Sequence, residues 1–414
     1  MKKNLLGWFA MATMLVGTGC SSDEVVNDYS PENAIQFGTY VGRDAESRAH
    51  ITSIDKLANE GFGVFAYYTE QQTFDTKTDA TPNFMYNQKV SSNSGTEQTV
   101  SGGKGWSGEW TYSPLKYWPN NVDDKVSFFA YAPYSDGGAS TNFTLATSTS
   151  QGAPTLTYKI YADDVENQED LLWATPIKDK SKNSTSPVGI TDKVNFAFHH
   201  ALARIGFKAE VMVDQVNGDK TGDNDDADTP NGNLDQYTTI TINKVQLKGK
   251  FYNEGLLALA NGEWSNQTND GNEVTFELSS DATSDFASRT SPAYPANIFK
   301  KDDVAIRDLN NDKNYIMIIP QDFITGSLGK MTVYVEYDVF TDVDGDGTED
   351  ANDSKITNKI TSEEFGINFE QGKAYTLNLH LGMTSVKLSA TVTDWEDVTG
   401  TVVNVPINTS TTTP

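Results

Sequence analysis

Thiols are almost absent from this sequence: Cys20 is the single cysteine in 414 residues. One thiol forms no internal disulfide, and everything beyond residue 20 is closed to cysteine-based catalysis. Histidine is scarce as well, with His50, His199, His200 and His380 as the whole supply of imidazole bases or ligands. Basic residues are outnumbered, 31 Lys and Arg against 57 Asp and Glu, for a net charge of −26. Removing residues 1–20 takes away Lys2 and Lys3 and no acid, which leaves the remainder two units more negative. A field of that sign repels nucleic acid and anionic lipid surfaces, and it favours solubility and divalent cations. Long apolar runs are missing too. The stretch Leu5–Thr18 is too short to cross a bilayer as a helix and is soon followed by acidic residues. No GxSxG, HExxH, phosphate loop or cysteine–histidine pair occurs. His199 and His200 are adjacent in a strand-like run, so their imidazoles point to opposite faces and share no metal. Carboxylate pairs are so numerous that they say little about glycoside hydrolysis. A non-enzymatic protein is the expectation, and a calcium-dependent glycan hydrolase is the weakest of the readings.

The N-terminus has a basic start, Met1, Lys2 and Lys3, then the apolar stretch, then the small residues of Gly17-Thr18-Gly19 before Cys20. Residues 1–19 read as a secretory signal. A cysteine directly after such a run resembles a bacterial lipoprotein signal, in which the thiol is acylated and becomes the new N-terminus. Gly17 departs from that pattern, which usually carries Leu there. The alternative is an ordinary secreted chain with an incidental cysteine. Residues 20–33 read as a flexible tether.

Beyond the tether, short runs rich in aromatic and β-branched residues alternate with Gly, Asn, Asp and Ser, and helical periodicity is weak apart from one turn near 53–59. Ile35, Phe37, Thr39 and Val41 alternate with polar or small neighbours, the period of a strand with one apolar face. Such patterning predicts an all-β chain, with two antiparallel β-sandwich domains in tandem. The first is expected over 34–213 and the second over 237–395. The polar insert 214–236 is either the boundary or a hairpin tip, and 396–414 forms a C-terminal extension with one alternating run, GTVVNVPI.

Two local patterns carry possible ligand chemistry. Asp342, Asp344, Asp346, Thr348, Asp350 and Asp353 stand at positions one, three, five, seven, nine and twelve of a calcium loop, with Gly347 at six. Asp replaces the usual bidentate Glu at twelve, and the flanks read as strands; a solvated hairpin tip is the competing account. Trp106 and Trp110 lie in a Gly- and Ser-rich stretch and are the candidates for an exposed glycan contact, whereas Trp118, Trp173 and Trp395 are expected in the core.

Taken in order, several motifs resemble the fimbrillin family, the type V pilins and pilin-like surface lipoproteins. They are Ile35-x-Phe37, Ser47-Arg48-Ala49, GVFAYY (63–68), YWP (117–119) with FFAYAPY (128–134), DLLWA (170–174), FHHALARIGFK (198–208), IIPQ (318–321) and VTDW (392–395). The resemblance covers nearly everything after the tether. It implies two transthyretin-like sandwiches, export as an outer-membrane lipoprotein, and a place in a fimbrium after assembly. It also implies an arginine-specific protease cutting between Arg48 and Ala49, with Arg43 the competing site. Loss of the first strand (Ile35, Phe37, Thr39, Val41) opens a groove for another pilin subunit's terminal strand, and Val403, Val405 and Ile407 are the donor face in this chain. An unpaired edge over an apolar groove invites such pairing. No cofactor is required beyond a calcium option, and a host or bacterial surface ligand is a further expected partner. The alternative is a non-polymerising surface lipoprotein that binds glycan or host protein through its loops.

Overall fold

The structure, a computed structural model, describes residues 33–41, 54–100, 103–136, 143–145, 151–160, 165, 168–182, 193–211, 234, 237–278, 298–300, 306–310, 315–346, 350–395 and 405–407. The chain is built from strands. In order they are β1 (Phe37–Val41), α1 (Ile54–Glu60), β2 (Phe62–Tyr68), β3 (Met85–Val90), β4 (Glu97–Val100), β5 (Gly103–Trp106), β6 (Val126–Ala132), β7 (Phe143–Leu145), β8 (Thr155–Lys159), β9 (Leu172–Ala174), β10 (Ile177–Lys180), β11 (Val194–His200) and β12 (Ala203–Val211). There follow β13 (Thr238–Gly249), β14 (Glu254–Ala258), β15 (Trp264–Thr268), β16 (Val274–Leu278), β17 (Ile298–Phe299), β18 (Arg307–Asp308), β19 (Ile316–Ile318) and β20 (Gln321–Asp322). The last are β21 (Thr332–Thr341), β22 (Ser354–Thr361), β23 (Asn368–Phe369), β24 (Lys373–Leu381), β25 (Val386–Asp394) and β26 (Val405–Ile407). The all-β expectation holds.

A nine-stranded sheet runs β3-β2-β6-β9-β11-β1-β5-β4, with β10 beside β6. A second sheet runs β18-β12-β24-β25-β26, with β19 on β12, and a third runs β16-β13-β21-β22, with β17 on β13. A four-stranded sheet, β15-β14-β8-β7, and the short pair β20-β23 complete the set. The single helix among the described residues, α1, ends at Gly61, whose φ of 83° is left-handed and whose N–H donates to Leu57 O. A Cβ there would stand 2.6 Å from Val90 O, so both the turn and the close approach of β3 call for glycine.

Three apolar clusters hold these sheets. The first joins Ile35 and Phe37 to Phe62, Val64, Trp110, Trp118, Phe128, Phe196 and the buried side of α1. β2 and β6 are buried on both faces, which is why their sequences are near-continuous apolar runs rather than alternating ones. Their reverse face carries Phe65, Tyr67, Phe129 and Tyr131 into a second cluster with Tyr158, Leu257, Met317 and Trp395. The third lies between the sheets of β12 and β13, with Phe207, Ile242, Val335 and Leu377.

This packing redraws the boundary expected at 214–236. β12 pairs in parallel with β24 from Arg204↔Ala374 to Val211↔Leu381, so residues 203–211 share a sheet with the C-terminal strands. β8 pairs with β14 across the same proposed boundary. Linear order separates these strands and pairing unites them, which a polar insert between them cannot reveal. Within 106–119 only Trp106 belongs to a strand, and the rest carries two isolated bridges, Ser91↔Thr111 and Ala34↔Tyr117.

Candidate functional site

β1 sits inside the nine-stranded sheet. On one side it pairs in parallel with β11, from Phe37↔Val194 to Val41↔Phe198, and on the other it meets β5 antiparallel at Tyr40↔Gly105 and Val41↔Lys104. The alternation read from the sequence explains the seating: Ile35 and Phe37 are each 1% exposed, while Gln36 between them is exposed. Phe37 lies 5.2 Å from the Tyr112 ring and 5.9 Å from Phe196, with Phe62 and Phe128 just beyond 6 Å. Burying side chains of this size contributes roughly 1.5–3 kcal/mol each.

Main-chain bonds hold the strand on both sides. Val194 N donates to Gln36 O at 2.7 Å, Ile35 N to Lys116 O at 2.9 Å, and Trp118 N to Asn33 O at 3.1 Å. The Tyr112 hydroxyl donates to Ile35 O at 2.8 Å and also lies 3.2 Å from Lys116 O. Burial pushes the Tyr112 pKa up to about 12, against a smaller opposing effect of its backbone partner, so this donor stays protonated at neutral pH. One group is poorly served: the buried Thr39 Oγ1 has no hydrogen-bond partner among the described residues. Such a hydroxyl costs about 1–3 kcal/mol in desolvation. The slot is therefore a deep aromatic groove with a paired edge on either side and one weak point along its strand.

Arg43, Arg48 and Ala49 lie outside the described residues, as do Cys20, Val403 and Thr348. Val405 and Ile407 form part of β26, which pairs antiparallel with β25 of the same chain, at Ala390↔Val405 and Leu388↔Ile407. The register sets both opposite buried positions of β25, and Pro406 opposite Ser389.

The expected glycan platform is not assembled. Trp110 is 5% exposed and packs edge-on against Phe62 in the first cluster. Trp106 is half-buried, and its indole N–H is 3.0 Å from both Ser92 Oγ and Ser94 O. A Gly- and Ser-rich context suggested an exposed loop; packing against β2 and the turn at Ser92–Ser94 decided otherwise.

The acidic loop is the β21–β22 connection. Carboxylates of Asp342, Asp344 and Asp353, and of Asp344, Asp346 and Asp350, approach within 4.8 Å of one another. The same carboxylates accept backbone N–H groups: Asp342 from Gly345, Asp353 from Val343 and Asp350, and Asp344 from Asp346. Both the cation-loop spacing and the turn-forming account are thus compatible with this geometry.

A constellation that motif reading missed lies where the first and third clusters meet the second. His200 Nδ1 is 2.8 Å from Asp170 Oδ2, both almost fully buried. The His200 ring stacks on Trp395 at 4.0 Å and 4°, and the Arg204 guanidinium lies 5.3 Å from the Trp395 ring and 4.5 Å from that of Tyr315. Asp170, His200 with Arg204, and Trp395 come from three of the motifs named above, so motifs far apart in sequence converge on one joint. Their spacing carries no sign of this, since it is long-range pairing that unites them.

Comparison with known proteins bears on the whole chain. A curated relative, the fimbrium subunit Fim1C of Phocaeicola vulgatus ATCC 8482, is 27% identical, covering 97% of this chain and 99% of its own length. The crystal structure of a fimbrial protein from Bacteroides vulgatus ATCC 8482 superposes with a TM-score of 0.62 at 25% identity, over 88% of this chain and all of that one. The family model described as fimbrillin-like matches residues 47–395. The chain belongs to the fimbrillin-like family, a family of structural fimbrial proteins and not of enzymes.

Proposed function

We propose that this chain is a fimbrial subunit whose first strand is a removable plug. In this reading residues 1–19 direct export, Cys20 carries the lipid that holds the precursor at the outer membrane, and an arginine-specific protease cuts after Arg48. β1 then leaves, and the slot between β11 and β5 receives the C-terminal strand of a neighbouring subunit, with Val403, Val405 and Ile407 as the inward face. The observation that carries the proposal is the seating of β1: Ile35 and Phe37 fill an aromatic groove between two strands, yet the strand joins α1 only through residues 42–53, which hold both Arg43 and Arg48. Its departure would expose apolar surface and the β11 edge together, a state that pairing with another strand relieves. Adhesion follows as the role of the assembled fibre. The reading requires no cofactor; if calcium binds the 342–353 loop, it stiffens a hairpin tip and does no chemistry.

Treatment of the full chain with an arginine-specific protease, followed by an unboiled sizing gel, is expected to give a ladder. A stable monomer after clean cleavage at Arg48 sinks the reading. Sequencing the N-terminus of protein taken from cells adds a direct check, with acylated Cys20 expected for the precursor and Ala49 for the assembled form.

A further inference from the structure

β22 is the last strand of its sheet, paired with β21 alone among the described residues. It is also exposed along nearly its whole length, and Ile356, opposite the buried Val339, is 53% exposed. Edge strands of this kind are normally guarded by outward-reaching lysines. Here both lysines reach back across the sheet instead: Lys359 Nζ is 3.5 Å from Glu336 and Lys355 Nζ is 3.6 Å from Asp338, both on β21. Thr357 likewise donates to Asp338. The charges that would defend the edge are engaged with the neighbouring strand.

The sequence of this edge is matched to itself. Reading outward from Asn358 in both directions, Ser354-Lys355-Ile356-Thr357 is mirrored by Lys359-Ile360-Thr361-Ser362. Two copies run antiparallel about Asn358 set Ile356 against Ile360, Lys359 against Thr357, Lys355 against Thr361 and Ser354 against Ser362. Every apolar residue meets an apolar residue, and no lysine stands directly opposite another. The ladder agrees. Ser362 N donates to Val333 O, and counting back by twos along an antiparallel pair, Ile360, Asn358 and Ile356 turn their main chain toward β21. Thr357, Lys359 and Thr361 then turn theirs to the open edge, where Thr357 of one copy meets Lys359 of the other. The Ile356–Ile360 pairs fall at the non-hydrogen-bonded positions, where side chains approach most closely.

We propose that β22 is a lateral docking edge for a second copy of this chain, joining the two β13-β21-β22 sheets through a two-fold antiparallel pair centred on Asn358. This contact is separate from the β1 slot and needs no cleavage, so it stands or falls independently of strand exchange.

The test uses the full, uncleaved chain, without protease. Light scattering across a concentration series should show the mass rising toward twice that of the monomer. Thr357→Pro removes an N–H that faces the open edge, and Ile356→Glu places a charge opposite Ile360; each should hold the protein at monomer mass with an unchanged thermal melt. In a Cys20→Ser background, Asn358→Cys puts the two thiols at directly opposed positions, about 4.5–5.5 Å apart at Cβ, and mild oxidation should yield a disulfide-linked dimer. Tyr86→Cys, on the β3 edge of the other large sheet, should yield none in the same background. Monomer mass at every concentration, a dimer undiminished by either edge variant, or Asn358→Cys linkage no greater than the Tyr86→Cys control overturns the proposal.

Discussion

Phe37 and Thr39 stand two residues apart on β1 and act with opposite sign. Phe37 is surrounded by four aromatic rings, so Phe37→Ala leaves a cavity and is expected to cost about 3–5 kcal/mol in chemical denaturation. Thr39 buries a hydroxyl with nothing to bond among the described residues, and Thr39→Val is expected to raise stability by about 1 kcal/mol in the same assay. If strand exchange proceeds by release of β1, the valine variant should also assemble more slowly after cleavage. At the acidic loop the crowded carboxylates set a different expectation. Calcium in place of a chelator should raise the melting temperature of the unaltered chain, and Asp344→Asn, which removes the residue common to both carboxylate clusters, should abolish that difference. Equal melting temperatures with and without calcium would leave the loop as a hairpin tip held by its own backbone bonds. The inward face of β1 was legible in the sequence because period-two alternation is a local property. The burial of Trp110 was not, because it depends on Phe62 approaching from another strand.

At the scale of elements, β1 and β26 are the two strands on which the proposed strand exchange turns. β1 is parallel to β11, a connection that needs a long crossover, and here more than 150 residues of chain intervene. A strand so placed is held by its partners rather than by its chain neighbours. β26 lies on the β25 edge of the same chain, where Pro406 is tolerated as it is on edge strands generally. Truncation after residue 395 is expected to leave the melting temperature of the uncleaved monomer within a few degrees, since β26 covers only an edge. The same truncation should abolish the protease-induced ladder. A ladder formed by the truncated chain would show that the donated strand comes from elsewhere. The runs of β2 and β6 were recognisable from composition, while the placement of β12 with β24 was not, because composition does not encode which edges meet.

For the molecule as a whole, three apolar clusters share sheets, and the joint at Asp170, His200 and Trp395 links them. Buried tyrosines are spread through all of it. Burial raises Tyr112, Tyr337 and Tyr375 to about 12, and it raises Tyr67 and Tyr131 further. In the unfolded chain these phenols ionise near 10. Between those values the unfolded chain binds fewer protons than the folded one, so stability falls as pH rises. Alkaline titration should therefore show the tyrosinate absorbance of these five buried phenols appearing late and together with loss of the folded signal above about pH 10. Ionisation of all 18 tyrosines with the fold intact would contradict the depth of these groups.

The sequence by itself determined the all-β class, the absence of thiol chemistry beyond residue 20, the alternating face of β1 and the order of family motifs, all of which follow from composition and short-range period. Tertiary structure alone decided that β1 lies between β11 and β5, that β12 joins the C-terminal strands, that Trp110 is core, and that distant motifs meet around His200. Those outcomes depend on which edges and faces find each other across long stretches of chain. Strand pairing is chosen by the packing of the whole, which no local window contains.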